Sequence, residues 1–401
     1  GSAMTSYALV LWLYGESGSA LYTAMLTITS YAPYVLLSIF AGALCDRFDK
    51  KNTMLICDSI SALCTITVIL LFACNALQVW HLYIVNAIGG LMNTVQQPAS
   101  EIASTALVPE KHYQKIGGLR YFSSSLSSIL TPVIATAVYS FSGLEAVLTV
   151  DLLTFAVAFI TLMFFIRIPK QSAESAELSL IKSAKSGLDF LKSHKQVLML
   201  IMYLSAINLV ASMYEAVLPA MVLSRKGGGT QALGAVSTCV GVATLIGSII
   251  ATLMPKPKSR RRVICLSLLF SMSTENFFLA FGQTPLLWCT GAVLGWILIP
   301  MMSANLDVIM RTKVPCHMQG RVYSARNTLQ FFTIPLGNFL GGLAVDTFAE
   351  PLMAAMPHNS LMCNIFGSGK GSGAALIFFI IGIMGVAICL IFNSNKHIKK
   401  I

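Results

Sequence analysis

Charge is scarce in this sequence. Only 11% of its 401 residues are Asp, Glu, Lys or Arg, against about 25% in an ordinary soluble protein. Acids are scarcer still, 16 against 27 basic residues. A soluble chain this long would form two or three domains, each needing a charged surface, and there is too little charge to coat one. A soluble enzyme, a disordered chain and a small disulfide scaffold are thereby excluded. The ten cysteines form no CxxC and no Cys/His cluster, and most sit in apolar runs (Cys57, Cys64, Cys74, Cys239, Cys389). They read as buried thiols, so no metal is expected. The six histidines are scattered, mostly at loops and ends (His81, His112, His194, His317, His358, His397), which leaves no clustered enzyme site and no cofactor to hold. Gly367-Ser368-Gly369-Lys370-Gly371-Ser372 lacks the spacing of a phosphate-binding loop and reads as a flexible loop, so ATP is not expected to drive anything here.

What the sequence does have is apolar length. Hydrophobic residues make up 56%, and the mean hydropathy is +0.75. A membrane-spanning helix needs about 20 apolar residues, and eleven runs qualify: 19–44, 53–74, 80–105, 117–140, 144–166, 197–224, 232–254, 263–282, 285–309, 321–345 and 374–393. A shorter apolar stub, Met4 to Tyr14, precedes them and ends at Gly15-Glu16-Ser17-Gly18. It is too short to cross, and the chain opens on Gly1, so the stub reads as a first helix cut short; a short re-entrant segment is the alternative. It lacks the basic start of a signal peptide. Counting it gives twelve spans.

The cations fix a topology. Placed on this span map, all but three of the 27 Lys and Arg fall on one side; only Arg225, Lys226 and Lys370 lie on the other. The positive-inside rule makes the crowded side cytoplasmic, the C-terminus with it. The net charge of +11 then reflects topology and anionic lipid, with no nucleic-acid partner implied. The longest interior connection, 167–196, carries Ile181, Ala184, Leu188 and Leu191 at helical spacing and reads as an amphipathic helix on the cytoplasmic face. It separates six spans from six. The stretch 346–373 on the other side receives no role.

The two halves repeat. Val108-Pro109 follows the fourth span and Val314-Pro315 the tenth. An acid stands eight residues before each proline (Glu101, Asp307), an arginine eleven residues after it (Arg120, Arg326), and another proline in each following helix (Pro132, Pro335). Two parallel halves related by an axis along the membrane normal are the architecture of a rocking transporter with its site at their interface. The fold expected is an all-α polytopic membrane protein of two six-helix bundles with a pseudo-two-fold axis along that normal: 1–167, a linker at 168–196, and 197–401.

Between the second and third spans the chain reads Gly42-Ala43-Leu44-Cys45-Asp46-Arg47-Phe48-Asp49-Lys50-Lys51. This resembles the signature G-x-L-x-D-R-x-G-R-[RK] of the major facilitator superfamily, with Asp49 at the second glycine. The stretch from Pro98 through Val108-Pro109-Glu110 to Arg167-Ile168-Pro169, and Gln319-Gly320-Arg321-Val322, are similar to its macrolide-efflux-like branch (drug:proton antiporter type 3). The resemblance covers nearly the whole chain. It implies alternating-access export of a bulky amphiphilic compound across the cell membrane, coupled to protons, by a monomer that is not an enzyme. Another exporter or importer, of a metabolite or siderophore, is the alternative. Two positions depart from the pattern: Asn86 stands where many proton-coupled members have an arginine, and Thr131-Pro132 replaces Gly-Pro in the fifth span.

Ionisable groups within a bilayer are costly and are functional candidates. Glu101, Arg120, Asp307 and Arg326 lie at the cytoplasmic ends of four spans and are expected to form a gate between the halves; interfacial snorkelling is the alternative. Asp46 and Arg47 would join them, with Asp46 near the N-terminus of the eleventh helix, where the dipole favours an anion. The resemblance makes the first, fourth, seventh and tenth spans cavity walls. On these lie Trp12; Asn86, Asn93 and Gln97; Asn208, Ser212 and Glu215; and Trp296, with Asn327, Gln330 and Phe331 on the eleventh. The amides serve either the cavity or hydrogen bonds between helices. Glu215 is the candidate proton carrier, or else part of an outer gate. Glu275 and Asp151, on spans the resemblance makes peripheral, are expected to make structural hydrogen bonds.

Overall fold

The computed structural model describes the backbone of residues 1–47, 49–106, 113–166, 180–255, 257–357 and 359–395, and within these the side chains of all but residues 38–47, 98, 101–102, 104–106, 113–122, 124–125, 180–186, 311, 316–321 and 323–324. In lipid every backbone N–H and C=O must be satisfied within its own segment, which selects helices. No strand occurs among the described residues. The helices are α1 (Ser2–Ser17), α2 (Ala20–Arg47), α3 (Lys50–Ala73), α4 (Val79–Ala106), α5 (Tyr113–Ile160), α6 (Leu180–Ser193), α7 (Lys195–Ser224), α8 (Thr230–Leu253), α9 (Arg260–Phe281), α10 (Pro285–Trp296), α11 (Ile299–Lys313), α12 (Cys316–Phe331), α13 (Thr333–Leu343), α14 (Glu350–Ala354), α15 (Leu361–Phe366) and α16 (Ser372–Ser394). Nine helical stretches among the described residues are long and apolar enough to cross a membrane.

Every expected span is helical, and the differences lie inside spans. α5 holds the fifth and sixth together, broken where Gly143 takes φ 74°. The tenth span divides into α10 and α11 at Ile297–Leu298, just before Pro300. A proline has no N–H to give the preceding turn, so the hydrogen-bond ladder stops there. The eleventh divides into α12 and α13 at Phe332, ahead of Pro335, and then widens into a π-helical turn at Ala344–Ala349. The linker helix exists as α6. Of its expected apolar stripe, Leu191 is fully buried, with Phe190 beside it packed on the core, Leu188 is 40% exposed, and the side chains of Ile181 and Ala184 lie outside those described.

The packing repeats as the sequence does. α1 packs on α5 and α7 on α13; α2 packs on α4 and α8 on α10; α3 packs on α4 and α9 on α10. Between the first six spans and the last six, α2 lies on α13 and α5 on α8. Exchanging the halves turns one of these contacts into the other, as a two-fold relation requires. One apolar core gathers around α7, α9 and α16, and a smaller one joins α1 to α4 and α5. Large apolar side chains such as Leu36, Phe165, Leu286 and Ile391 point outward, where a lipid-facing surface carries them at no cost. The two ends of the molecule differ in charge, the cation-poor end carrying Arg225, Lys226 and Lys370.

Candidate functional site

A cavity of about 200 Å³ lies where helices of both halves meet. Tyr7 of α1, Thr23 and Thr27 of α2, Glu215 and Pro219 of α7 and Ser237 of α8 line it. The Glu215 side chain is exposed to this space, and Tyr31 of α2 stands near it. Tyr7 Oη lies 3.5 Å from Ser237 Oγ, joining α1 to α8 across the seam. The tight packing of α7 explains the placement. Tyr214, Ala216 and Val217 around Glu215 are buried, so the carboxylate takes the remaining side, where hydroxyl groups line the wall.

The other sequence candidates divide into three groups. One group lies where α7 meets the end of α12. Asn208 Nδ2 donates to Gln330 O (3.2 Å) and Ser205 Oγ to Leu329 O (2.8 Å), and these two bonds fasten α7 where α12 gives way to α13, satisfying carbonyls beside the break. Within α7, Ser212 Oγ donates to Asn208 O (2.7 Å), and within α12, Arg326 Nε donates to Gln330 Oε1 (3.0 Å). A second group lies apart from the Glu215 cavity. Asn86 and Asn93 line another space, about 690 Å³, among the N-terminal helices, together with Gln96, Asp58 and Asp151. Asn86 Nδ2 donates to Leu82 O (3.0 Å), and Gln97 is exposed. Trp12 stands edge-on to Phe72, with ring centroids 6.1 Å apart. Phe331 meets Tyr34 across the seam at 6.0 Å, and Asn327 is half-buried. The third group is the expected gate. Asp307 is exposed, and the side chains of Asp46, Arg47, Glu101 and Arg120 lie outside those described.

Asp151 and Glu275 make helix-joining bonds. Asp151 accepts from Thr5 Oγ1 (3.0 Å) and Thr65 Oγ1 (3.3 Å). Glu275 is only 4% exposed, and its Oε1 accepts from Trp296 Nε1 at 2.8 Å. Trp296, offered as a cavity wall, thus turns toward α9. The Tyr214 hydroxyl lies beside both without a hydrogen bond of ordinary geometry. Trp296→Phe keeps most of the ring and loses the donor, stranding a buried carboxylate oxygen at a cost of about 1–3 kcal/mol. A lower thermal midpoint of the purified protein is expected; an unchanged one would show that the bond carries no stability.

Sequence reasoning missed the groups at the cation-poor end. Tyr14 Oη lies 2.6 Å from Ser224 Oγ and donates to Ala220 O (3.0 Å), joining α1 to α7. Asp346, one residue past the expected end of its span, accepts from Ser19 Oγ, Ala20 N and Leu21 N at the start of α2. Arg225 donates through Nη1 to Gly282 O (2.5 Å) and through Nη2 to Phe366 O. Glu350 accepts from Gly371 N and Ala374 N, both at 3.1 Å, at the start of α16. The glycine run expected to be a flexible loop is wrapped around this arginine. Gly371 has φ 86°, and a Cβ there would stand 2.9 Å from Arg225 Cγ, so both the backbone angle and the space require glycine. The legible signals are an acid at the edge of an apolar run and an arginine on the cation-poor side; their partners, 57 to 327 residues away along the chain, are not.

Comparison with known proteins agrees with this architecture. Residues 1–338 match the Major Facilitator Superfamily. Macrolide efflux protein A of Streptococcus pyogenes is 25% identical over 350 residues, 86% of each chain. The multidrug efflux pump Tap of Mycolicibacterium fortuitum is 23% identical over 361 residues, again 86% of each. Among solved structures, a D-xylose-proton symporter superposes with a TM-score of 0.68 at 15% identity, covering 98% of this chain and 92% of its own. With the family match running through most of the chain, a doubled helix-packing scheme and a signature loop at the expected place, this multi-pass membrane protein belongs to the major facilitator superfamily.

Proposed function

We propose that the chain is a secondary active efflux transporter that exports bulky amphiphilic compounds, macrolides among them, across the plasma membrane by alternating access of two six-helix bundles. In this reading residues 1–167 and 197–401 are the bundles, 168–196 links them, the cation-rich end and the C-terminus face the cytoplasm, and Glu215 carries the coupling proton. The observation that carries the reading is an acid opening into a cavity walled by helices of both halves. That cavity, at about 200 Å³, is smaller than the roughly 300–1,000 Å³ that drug-sized ligands occupy. A macrolide therefore enters only when the bundles part. Asp307 and Arg326, with Asp46, Arg47, Glu101 and Arg120, close the cytoplasmic end in this reading. The names of the relatives, macrolide and multidrug efflux proteins, support the same substrate class.

Inhibitory concentrations of erythromycin and ethidium, measured in cells with and without the full-length protein, test the proposal. A several-fold rise is expected, abolished when the proton gradient is collapsed. Unchanged susceptibility to both compounds would overturn drug export.

A further inference from the structure

We propose that Asp346 is a reversible latch: it holds the cation-poor entrance shut by capping the N-terminus of α2 and lets go each time that entrance opens. The inference rests on the alternating-access reading above.

A helix leaves its first four N–H groups without partners inside the helix. At the start of α2 a carboxylate from the other half of the chain accepts from two of them. Asp346 Oδ1 accepts from Ala20 N (3.1 Å), and Oδ2 accepts from Leu21 N (2.9 Å) and from Ser19 Oγ (2.5 Å). Ser19 Oγ in turn accepts from Tyr22 N (3.2 Å), so the local cap and the distant one share an atom. An anion at a helix N-terminus is favoured by the dipole as well as by the bonds.

Two further features seat the carboxylate. It lies in the π-helical turn Ala344–Ala349, a rare widening that re-aims side chains and recurs at functional sites. One turn earlier, Gly342 lets the two backbones touch: a Cβ there would stand 2.7 Å from Leu21 Cα and 3.1 Å from Ala20 O. The contact joins α13 and its π-helical extension to α2, the same α2–α13 pairing that crosses the seam between the halves. Tyr14, bonded to Ser224 and Ala220, closes α1 on α7 at the same end.

A latch must hold and yet release. Asp346 and Ser19 are half-buried, so when α13 swings from α2 the carboxylate and the freed N–H groups meet water and leave no buried orphan. A fully buried clamp would resist opening, and a fully exposed one would hold nothing.

The test is hydrogen–deuterium exchange of the full-length protein in lipid nanodiscs, paired with erythromycin export by vesicles. In Asp346→Ala, peptides spanning residues 14–24 are expected to exchange about tenfold faster or more, as loss of charge-assisted bonds implies, while peptides from α9 and α16 keep their protection. Asp346→Asn retains an acceptor oxygen and falls between; Ser19→Ala changes less. Gly342→Val leaves the carboxylate intact, forces the backbones apart and is expected to match Asp346→Ala. Export falls in the same order. If Asp346→Ala and Gly342→Val both keep wild-type exchange at 14–24 while wild-type vesicles export drug, the latch is wrong and the transport reading stands. Faster exchange in variants of a wild type that exports neither erythromycin nor ethidium would leave Asp346 a static cap and sink both.

Discussion

Arg225→Met is expected to destabilise the protein by about 2–4 kcal/mol, the cost of losing charged hydrogen bonds at a half-buried junction. Arg225 follows the last residue of α7, and its guanidinium spans the carbonyls of Gly282, which follows the last residue of α9, and Phe366, which ends α15. Glu350, beside it, holds the first turn of α16. One planar fork therefore ties the end of α7 to the ends of α9 and α15, with the carboxylate that caps α16 beside it. Methionine keeps the apolar reach and supplies no donor. Gly282 O would still receive Trp288 Nε1 at 2.9 Å, so the loss falls mainly on Phe366 O and on the charge beside Glu350. Lysine keeps the charge but, as a point donor, serves one carbonyl rather than two; Arg225→Lys is expected to lose about half as much. Unfolding in mild detergent by a denaturant series measures both. A methionine variant as stable as wild type would show that packing alone holds the junction.

How far the sequence discloses this structure depends on which physical force sets each feature. Spans are dictated by lipid, which penalises every unsatisfied backbone group, so apolar length reveals them closely: 232–254 was expected where Thr230–Leu253 is found, and 374–393 where Ser372–Ser394 is found. The halves' duplication shows because it leaves matching residues in each. Breaks are less legible. Pro300 and Pro335 announce that a ladder stops but not that α10 and α12 end where they do, and nothing local predicts the π-helical turn holding Asp346. Side-chain direction is least legible of all. Polar residues in the membrane stand out in the sequence, and Asn208, Gln330 and Arg326 do meet, yet Trp296 turns to Glu275 rather than to the Glu215 space. Helical phase is set by which neighbour packs where, and a single sequence carries no record of that. Asp346 shows the same limit: its partners are backbone N–H groups, which every residue but proline has, so no residue type marks them.

Glu215→Gln is expected to reduce proton-driven drug export to that of protein-free vesicles while leaving drug exchange across the membrane intact. The reasoning begins with size and charge. Glutamine fills the same volume against Tyr7, Thr23 and Ser237 and retains polarity, so the bundles should pack and rock as before. It cannot release a proton, and thus imitates the neutral acid permanently. An ionised carboxylate is costly where protein closes around it and tolerable where water enters. In the wild type, closure of the cavity is therefore tied to taking up a proton and hydration to giving it up. With glutamine the empty and loaded carriers close equally well, and the gradient no longer sets the direction of net flux. Vesicles with labelled erythromycin on one side and unlabelled drug on the other still equilibrate; vesicles given a pH gradient accumulate none. Glu215→Asp retains the acid one methylene further back and is expected to keep partial coupling. Gradient-driven accumulation at the wild-type rate in Glu215→Gln would remove the acid from the coupling step. Loss of exchange together with accumulation would assign it to binding the drug instead.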